Sequence, residues 1–586
     1  MLSVQLVLAL ATLAQGTARP FPAILWPKAG GEAPSERQRE FGATCVSRGD
    51  PSAALREAGV DVLVFNAPGR NELHLEPGTE GPKRRRRRWL ETQDPAALVR
   101  QPCLASDETR ERLGARLAES LKSHAGACTL GVSLGDEIGL TPGGIPEDVC
   151  LCASCEAQWA ARGGERQKLA ALDTDRTLRA VFDGDTRALG PWLERRTFHQ
   201  EQLQETLARL AEQARAEHVP VGVLGLVGQT AFGGVSIEAL LPRLDFLECY
   251  RVGNARELAF SLRKPQQRVY LTVFATDEPA RTAWAAWEHR LRGGDGVFVW
   301  SEEELERRPA TRARLVDTLA RIRALDTKVF TPRPAGIAVL HSPRSVAAGW
   351  IRDALPDGGT WPNRFASWQE EHGSVETARR RWLDLAEACG AMPGALALET
   401  LAPEQAARFP LLVASELLVV DEADVVRLEA CVAAGARLCV EGTFAWIDSA
   451  GRKWSDEERA ALLARLKAIS PPDSAREWTR GASATAPLRE FLRERRVELA
   501  PFQMRGASAQ ARWIVTWDTR DLTSVCAALP ELPAEGAAWP AGLELVPRDG
   551  CEIEWLEPRG ASGWDVKLAP GEPAVFVLRA SVSDRR

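Results

Sequence analysis

The sequence predicts a parallel (β/α)8 barrel, followed by a doubly wound α/β domain and a small C-terminal antiparallel β domain. Three observations carry this. Short apolar runs alternate with amphipathic helical stretches about eight times over the first ~300 residues, which favours a closed parallel barrel over an open sheet. A proline-bearing linker, TPRPAG (331–336), then precedes a second strand–helix–strand pattern. Beyond Pro471 the helical period fades, and apolar and polar residues alternate between turn residues.

Within residues 19–332, the runs PAILWPK (22–28), VDVLVFN (60–66), CTLGVSL (128–134), VPVGVLGLV (219–227), DFLECY (245–250), RVYLTVFA (268–275) and GVFVW (296–300) read as buried strands. RRWLET (87–92) is a weaker strand candidate. ETRERLGARLAESLKSH (108–124) and HQEQLQETLARLAEQARAEH (199–218) carry helical periodicity. In the α/β domain (333–470), GIAVLHS (336–342) reads as a strand and LLVVDEADVVRLEACVAAGARLCVEG (417–442) as strand–helix–strand. Cys431 falls inside the helical pattern and Cys439 within a strand, so neither occupies a strand-to-helix nucleophile turn. In the last domain (471–586), ARWIVTWDT, LELVP, CEIEWLEP, WDVKLAP and AVFVLRA are the expected strands.

The chain has 586 residues and a net charge of −6, which disfavours a nucleic-acid partner. Residues 1–18, apolar and then small, read as a signal peptide cleaved after Ala14 or Ala18, although no Lys or Arg precedes Arg19. The expectation is a secreted or otherwise extracytoplasmic protein. No later run is long and apolar enough to suggest a membrane span. The basic run KRRRRR (83–88) reads as an isolated basic loop.

In a barrel enzyme the site lies at the C-terminal ends of the strands. SLGDEIG (133–139) places Asp136 and Glu137 just past an apolar run, and Glu137 is the candidate general acid. The competing reading is a solvated turn. A retaining glycosidase needs a second carboxylate about 5–5.5 Å away, and an inverting one spaces the pair more widely. RVYLTVFATDEP has no acid inside its apolar run, so Glu278 is the first choice, Asp277 the second and Glu248 the third. Trp26, Trp89, Tyr250 and Trp300, at or near strand ends, are candidate sugar platforms. CLCASC supplies Cys150, Cys152 and Cys155, with Cys103 as a fourth thiol; the spacing suits either tetrahedral Zn2+ or disulfides among the twelve cysteines.

SLGDEIG, DVCLCASCEAQW (148–159), LAALDTD, PWLERRTFHQEQL (191–203) and HRLRGGDGVFVW (289–300), together with the domain order, resemble the family 42 glycoside hydrolases, which are β-galactosidase-like. The most specific motifs lie within about 103–159 and 284–300. The resemblance implies that Glu137 is the acid/base at the end of strand four and that Cys103, Cys150, Cys152 and Cys155 hold a structural zinc. It implies that Trp300 ends strand eight and that Tyr250 orients the nucleophile. It also implies an oligosaccharide substrate and a homotrimer assembled through the α/β domain. The sequence departs from the family at two points. Asp136 stands where the family has Asn, and an ionised Asp accepts hydrogen bonds without donating them. No Glu stands at the expected place on strand seven. Two function classes follow: a secreted glycosidase using Glu137, or a non-catalytic carbohydrate-binding protein on a degenerate barrel.

Overall fold

The computed structural model describes residues 21–580 except for internal stretches, the longer being 29–33, 74–79, 141–149, 326–335, 365–372, 474–485, 506–510, 531–537 and 558–564. The expected signal peptide, residues 1–18, lies outside the described residues.

Eight parallel strands close into a barrel in sequence order: β1 (Ala23–Leu25), β2 (Gly42–Val46), β3 (Asp61–Val64), β4 (Gly131–Asp136), β5 (Val221–Leu226), β6 (Phe246–Cys249), β7 (Arg268–Phe274) and β8 (Gly296–Trp300). Pairing of β1 with both β2 and β8 completes the ring. These strands read as continuous apolar runs because both faces are covered. Ile24, Cys45, Leu63, Leu224, Phe246, Tyr270 and Phe298 fill the interior, with Trp26 and Phe65 above them. The alternate residues, such as Val62, Val64, Val132, Leu134, Val221 and Val223, pack beneath the outer helices.

Three sequence expectations are corrected. The second strand is Gly42–Val46 (GATCV), and RRWLET lies wholly within the helix Glu80–Thr92. Trp89 in that helix is 1% exposed, packed with Cys150, Cys155 and Trp159, so it is core and no sugar platform. The basic run belongs to the same helix and is not a loop: the Arg86 guanidinium is buried over the Trp361 ring at 4.7 Å, and Arg88 pairs with Asp94 at 2.9 Å.

The α/β domain carries a parallel sheet of order β10-β9-β11-β12, from β9 (Ile337–His341), β10 (Pro393–Ala397), β11 (Leu411–Val419) and β12 (Arg437–Ile447). Cys431 is buried in the helix Glu422–Ala433 and Cys439 in β12. Trp192 and Phe232 of the barrel segment join Trp350, Trp361 and Leu418 in one apolar cluster, which seats this domain on the barrel. The last segment forms two antiparallel sheets. One joins β13 (Phe502–Arg505), β16 (Gly542–Pro547) and β18 (Asp565–Lys567). The other joins β14 (Ala511–Thr519), β15 (Thr523–Pro530), β17 (Cys551–Glu557) and β19 (Ala574–Ala580). Glu572 ties this segment to the last barrel helix, Pro309–Leu325, through Arg314 at 2.9 Å and Arg321 at 2.7 Å. Among the described residues no helix is long and apolar enough to cross a membrane.

Candidate active site

Glu137 follows β4 directly. Its backbone sits at φ 47°, in the left-handed region that a residue with a Cβ adopts at a cost of roughly 1–2 kcal/mol. The conformation is held from β5: the Glu137 N–H donates to the Leu224 carbonyl at 3.0 Å. Such strain at a strand end aims a side chain where regular pleating would not. Gly225, at φ +67°, makes room for it. A Cβ there would meet Asp136 Oδ1 at 2.5 Å and Glu137 Cγ at 2.8 Å. The two acidic side chains therefore flank one point of the β5 backbone.

Tyr250 follows β6, and its hydroxyl donates to Glu137 Oε1 at 2.9 Å. Burial first, and then the negative charges of Glu248, Glu137 and Asp136, push the Tyr250 phenol above its ordinary range, so it stays protonated as a donor. Tyr250, which the resemblance implies orients the nucleophile, hydrogen-bonds the acid/base candidate Glu137. Trp300, at the end of β8, is 44% exposed and meets the half-buried Trp26 edge-on at 5.3 Å. Trp26 in turn meets Phe65 at 4.9 Å. Trp26, Phe65 and Trp300 stand at the C-terminal ends of β1, β3 and β8.

The strand-seven question has a geometric answer. Tyr270 faces the barrel interior, and the period of two carries Thr272 and Phe274 to the same face. Phe274 pairs in register with Trp300, and its ring lies 5.8 Å from that of Tyr250. The inward mouth position of β7 is thus a phenylalanine. Asp277 and Glu278 come after the strand and are exposed; Glu278 sits at the N-cap of the helix Pro279–Leu291, 3.8 Å from Arg281.

Glu248, the third candidate, lies two residues before Tyr250 on β6 and is 2% exposed. Thr272 Oγ1 donates to Oε1 and the Gly225 N–H to Oε2, so both carboxyl oxygens are occupied inside the barrel. Burial raises its pKa to about 7 against these hydrogen bonds, and Asp136 adds to the rise. The folded protein therefore binds this proton more tightly than the unfolded chain does, and the protein loses the Glu248 contribution to its stability as pH rises from about 4.5 through 7. Glu248→Gln is expected to flatten that loss, worth on the order of 3 kcal/mol, in urea melts run across the window. An unchanged pH slope would contradict it.

A second cluster lies beside the barrel. The sulfurs of Cys103, Cys150, Cys152 and Cys155 all lie within 4.8 Å of one another, and none is in a disulfide. Cys103 Sγ is 3.6 Å from Cys155 Sγ and 3.3 Å from Cys152 Sγ. A tetrahedron of Zn–S bonds of about 2.3 Å has edges of about 3.8 Å, so the donor set fits a closed four-thiolate ion site. The Arg100 N–H donates to Cys150 Sγ at 3.2 Å, and its buried guanidinium reaches the carbonyls of Pro102, Glu72 and Gly139 at 2.6, 2.9 and 3.3 Å. Arg100, which sequence reasoning passed over, thus links the cysteines to the loop two residues beyond Glu137.

No protein-family model and no curated protein matches the chain. Solved structures do. A catalytic mutant of Gan42B, a GH42 beta-galactosidase from G. stearothermophilus, superposes with a TM-score of 0.65 at 11% identity, over 95% of this chain and 98% of that one. A beta-galactosidase from Bacillus circulans sp. alkalophilus gives 0.64 at 12%, over 96% and 99%. An exo-carrageenase GH42 from Bacteroides ovatus gives 0.62 at 10%, over 96% and 83%. Over nearly its whole length, this chain has the fold of the family 42 glycoside hydrolases.

Proposed function

We propose that the protein is a secreted glycoside hydrolase in which Glu137 gives a proton to the leaving glycosidic oxygen and later withdraws one from water. The carrying observation is Glu137 at the end of β4, its carboxylate held by the Tyr250 hydroxyl at 2.9 Å. Trp26 and Trp300 offer aromatic faces for the apolar side of a pyranose, and Asp136 accepts from a donor on the sugar. The similar structures include a beta-galactosidase and an exo-carrageenase, which supports an oligosaccharide substrate. Cys103, Cys150, Cys152 and Cys155 would hold a structural zinc, which when bound cross-links the loops carrying Arg100 and the helix Ala153–Ala161. Assembly as a homotrimer through the α/β domain belongs to the same reading.

The test is turnover of a panel of aryl glycosides and oligosaccharides by the wild type beside Glu137→Gln. Glu278→Gln and Asp277→Asn are expected to stay within about threefold of wild-type rates, as exposed substitutions do. A loss of several orders of magnitude would instead assign the affected residue the nucleophile's role. Phe274 at the inward mouth of β7 favours one second reading, a carbohydrate-binding protein without turnover. Oligosaccharide binding with no hydrolysis on the whole panel would establish it.

A further inference from the structure

The acidic pair at β4 and the phenylalanine at β7 together narrow the substrate. Double displacement needs a nucleophile on the face of the sugar opposite the leaving group. Among the described residues, the inward mouth position of β7 is Phe274, Asp277 and Glu278 are exposed beyond the strand, and Glu248 has both oxygens engaged inside the barrel. What stands beside Glu137 is Asp136, whose Oδ1 shares with Glu137 Cγ the space above Gly225. An ionised Asp is an acceptor and pairs with an N–H; a sugar bearing an amide at C2 provides one next to the reacting carbon.

Resting on the glycosidase reading, we propose that the substrate is a 1,2-trans-linked 2-acetamido-2-deoxyhexoside whose own acetamide oxygen is the nucleophile. Asp136 accepts the acetamide N–H and turns the carbonyl oxygen toward C1. That oxygen forms a bond to C1 as the C1–O bond to the leaving group breaks, and the departing oxygen takes the Glu137 proton. The result is a cyclic oxazolinium ion, with its N–H still on Asp136 and its positive charge facing that carboxylate. Water then attacks C1 and gives its proton to Glu137, and the bond from C1 to the acetamide oxygen breaks. The acetamide is restored, the product keeps its anomeric configuration, and no outside reactant is consumed. Substrate-assisted glycosidases of other families show that this chemistry needs no protein nucleophile. Phe65, Phe274, Trp26 and Trp300 give the mouth apolar surface for the acetyl methyl group.

The test uses the full chain and paired 4-nitrophenyl glycosides: β-N-acetylglucosaminide and β-N-acetylgalactosaminide against β-glucoside and β-galactoside. The expected result is a kcat/KM about 100-fold or more higher for the acetamido sugars, since only they carry the group in place of the nucleophile. On the wild type, replacing acetyl by mono-, di- and trifluoroacetyl should lower kcat progressively, because fluorine weakens the attacking oxygen. Asp136→Asn should cost about 100-fold in kcat on the acetamido sugars. If the unsubstituted hexosides turn over as well or better, the substrate class is overturned and the glycosidase reading stands. A flat fluorinated series also overturns the proposal. If the wild type hydrolyses no glycoside while binding sugar, both readings fall.

Discussion

Glu137→Gln is expected to lower kcat by roughly 10²–10⁴-fold on substrates with poor leaving groups, with little change in KM. The amide has the shape of the carboxylate, and its carbonyl oxygen can still accept from the Tyr250 hydroxyl, which now sits 2.9 Å from Oε1. The left-handed backbone at φ 47° and the bond to Leu224 do not depend on the side-chain charge, so the fold should persist. What is lost is the transferable proton. The loss should therefore shrink on aryl glycosides with good leaving groups, which depart without protonation, until the second step limits turnover. Azide would restore the aryl rate of a Glu137→Ala variant, where the small side chain leaves room at the anomeric carbon. Full activity of Glu137→Gln on an unactivated oligosaccharide would remove Glu137 from the mechanism. Tyr250→Phe keeps the ring packing against Phe274 and removes only the donor, so it should cost much less than Glu137→Gln.

Most of the barrel was legible because parallel strands buried on both faces leave long apolar runs, and seven of these marked real strands. GATCV escaped because Gly42, Ala43 and Thr44 are weakly apolar, although its frame was readable. Ser35 and Gln38 form a capping box on the short helix Glu36–Phe41, and Gly42 ends that helix at φ +77°. RRWLET misled because Trp89 and Leu90 suggested a strand, whereas the preceding run of Arg is good helix-forming sequence that lets Trp89 reach the cysteine cluster. At the site, the period of two already contained the answer for β7. Tyr270, Thr272 and Phe274 share parity, so a strand whose Tyr270 faces inward must present Phe274 at its mouth. The contact between Tyr250 and Glu137 was beyond local reading, since 113 residues separate them and only barrel closure brings them together. The role of Gly225 was equally hidden, because this glycine is explained only by side chains from the neighbouring strand.

Removal of the four-cysteine ion is expected to damage the barrel and the active site together. The purified protein should contain one zinc per chain, and Cys155→Ser should lose it, since Cys155 is buried and its sulfur lies 3.6 Å from that of Cys103. Four converging thiolates repel one another without a cation, so the surrounding apolar cluster of Trp89, Leu98, Trp159 and Phe198 would open around them. The apparent Tm should fall by roughly 5–10 °C, corresponding to about 3 kcal/mol. The consequence reaches further because Arg100 donates to Cys150 Sγ through its N–H and to the Gly139 carbonyl through its guanidinium. Gly139 is in turn fixed by its N–H to Leu73 O at 3.0 Å, and Glu137 lies two residues before it. Loosening the cysteine loops should therefore release the turn that aims Glu137, lowering kcat in the zinc-depleted protein more than KM rises. Zinc returned to the depleted wild type should restore both Tm and rate, whereas Cys155→Ser should recover neither. Metal analysis finding no zinc, with two disulfides mapped among Cys103, Cys150, Cys152 and Cys155, would overturn the metal assignment.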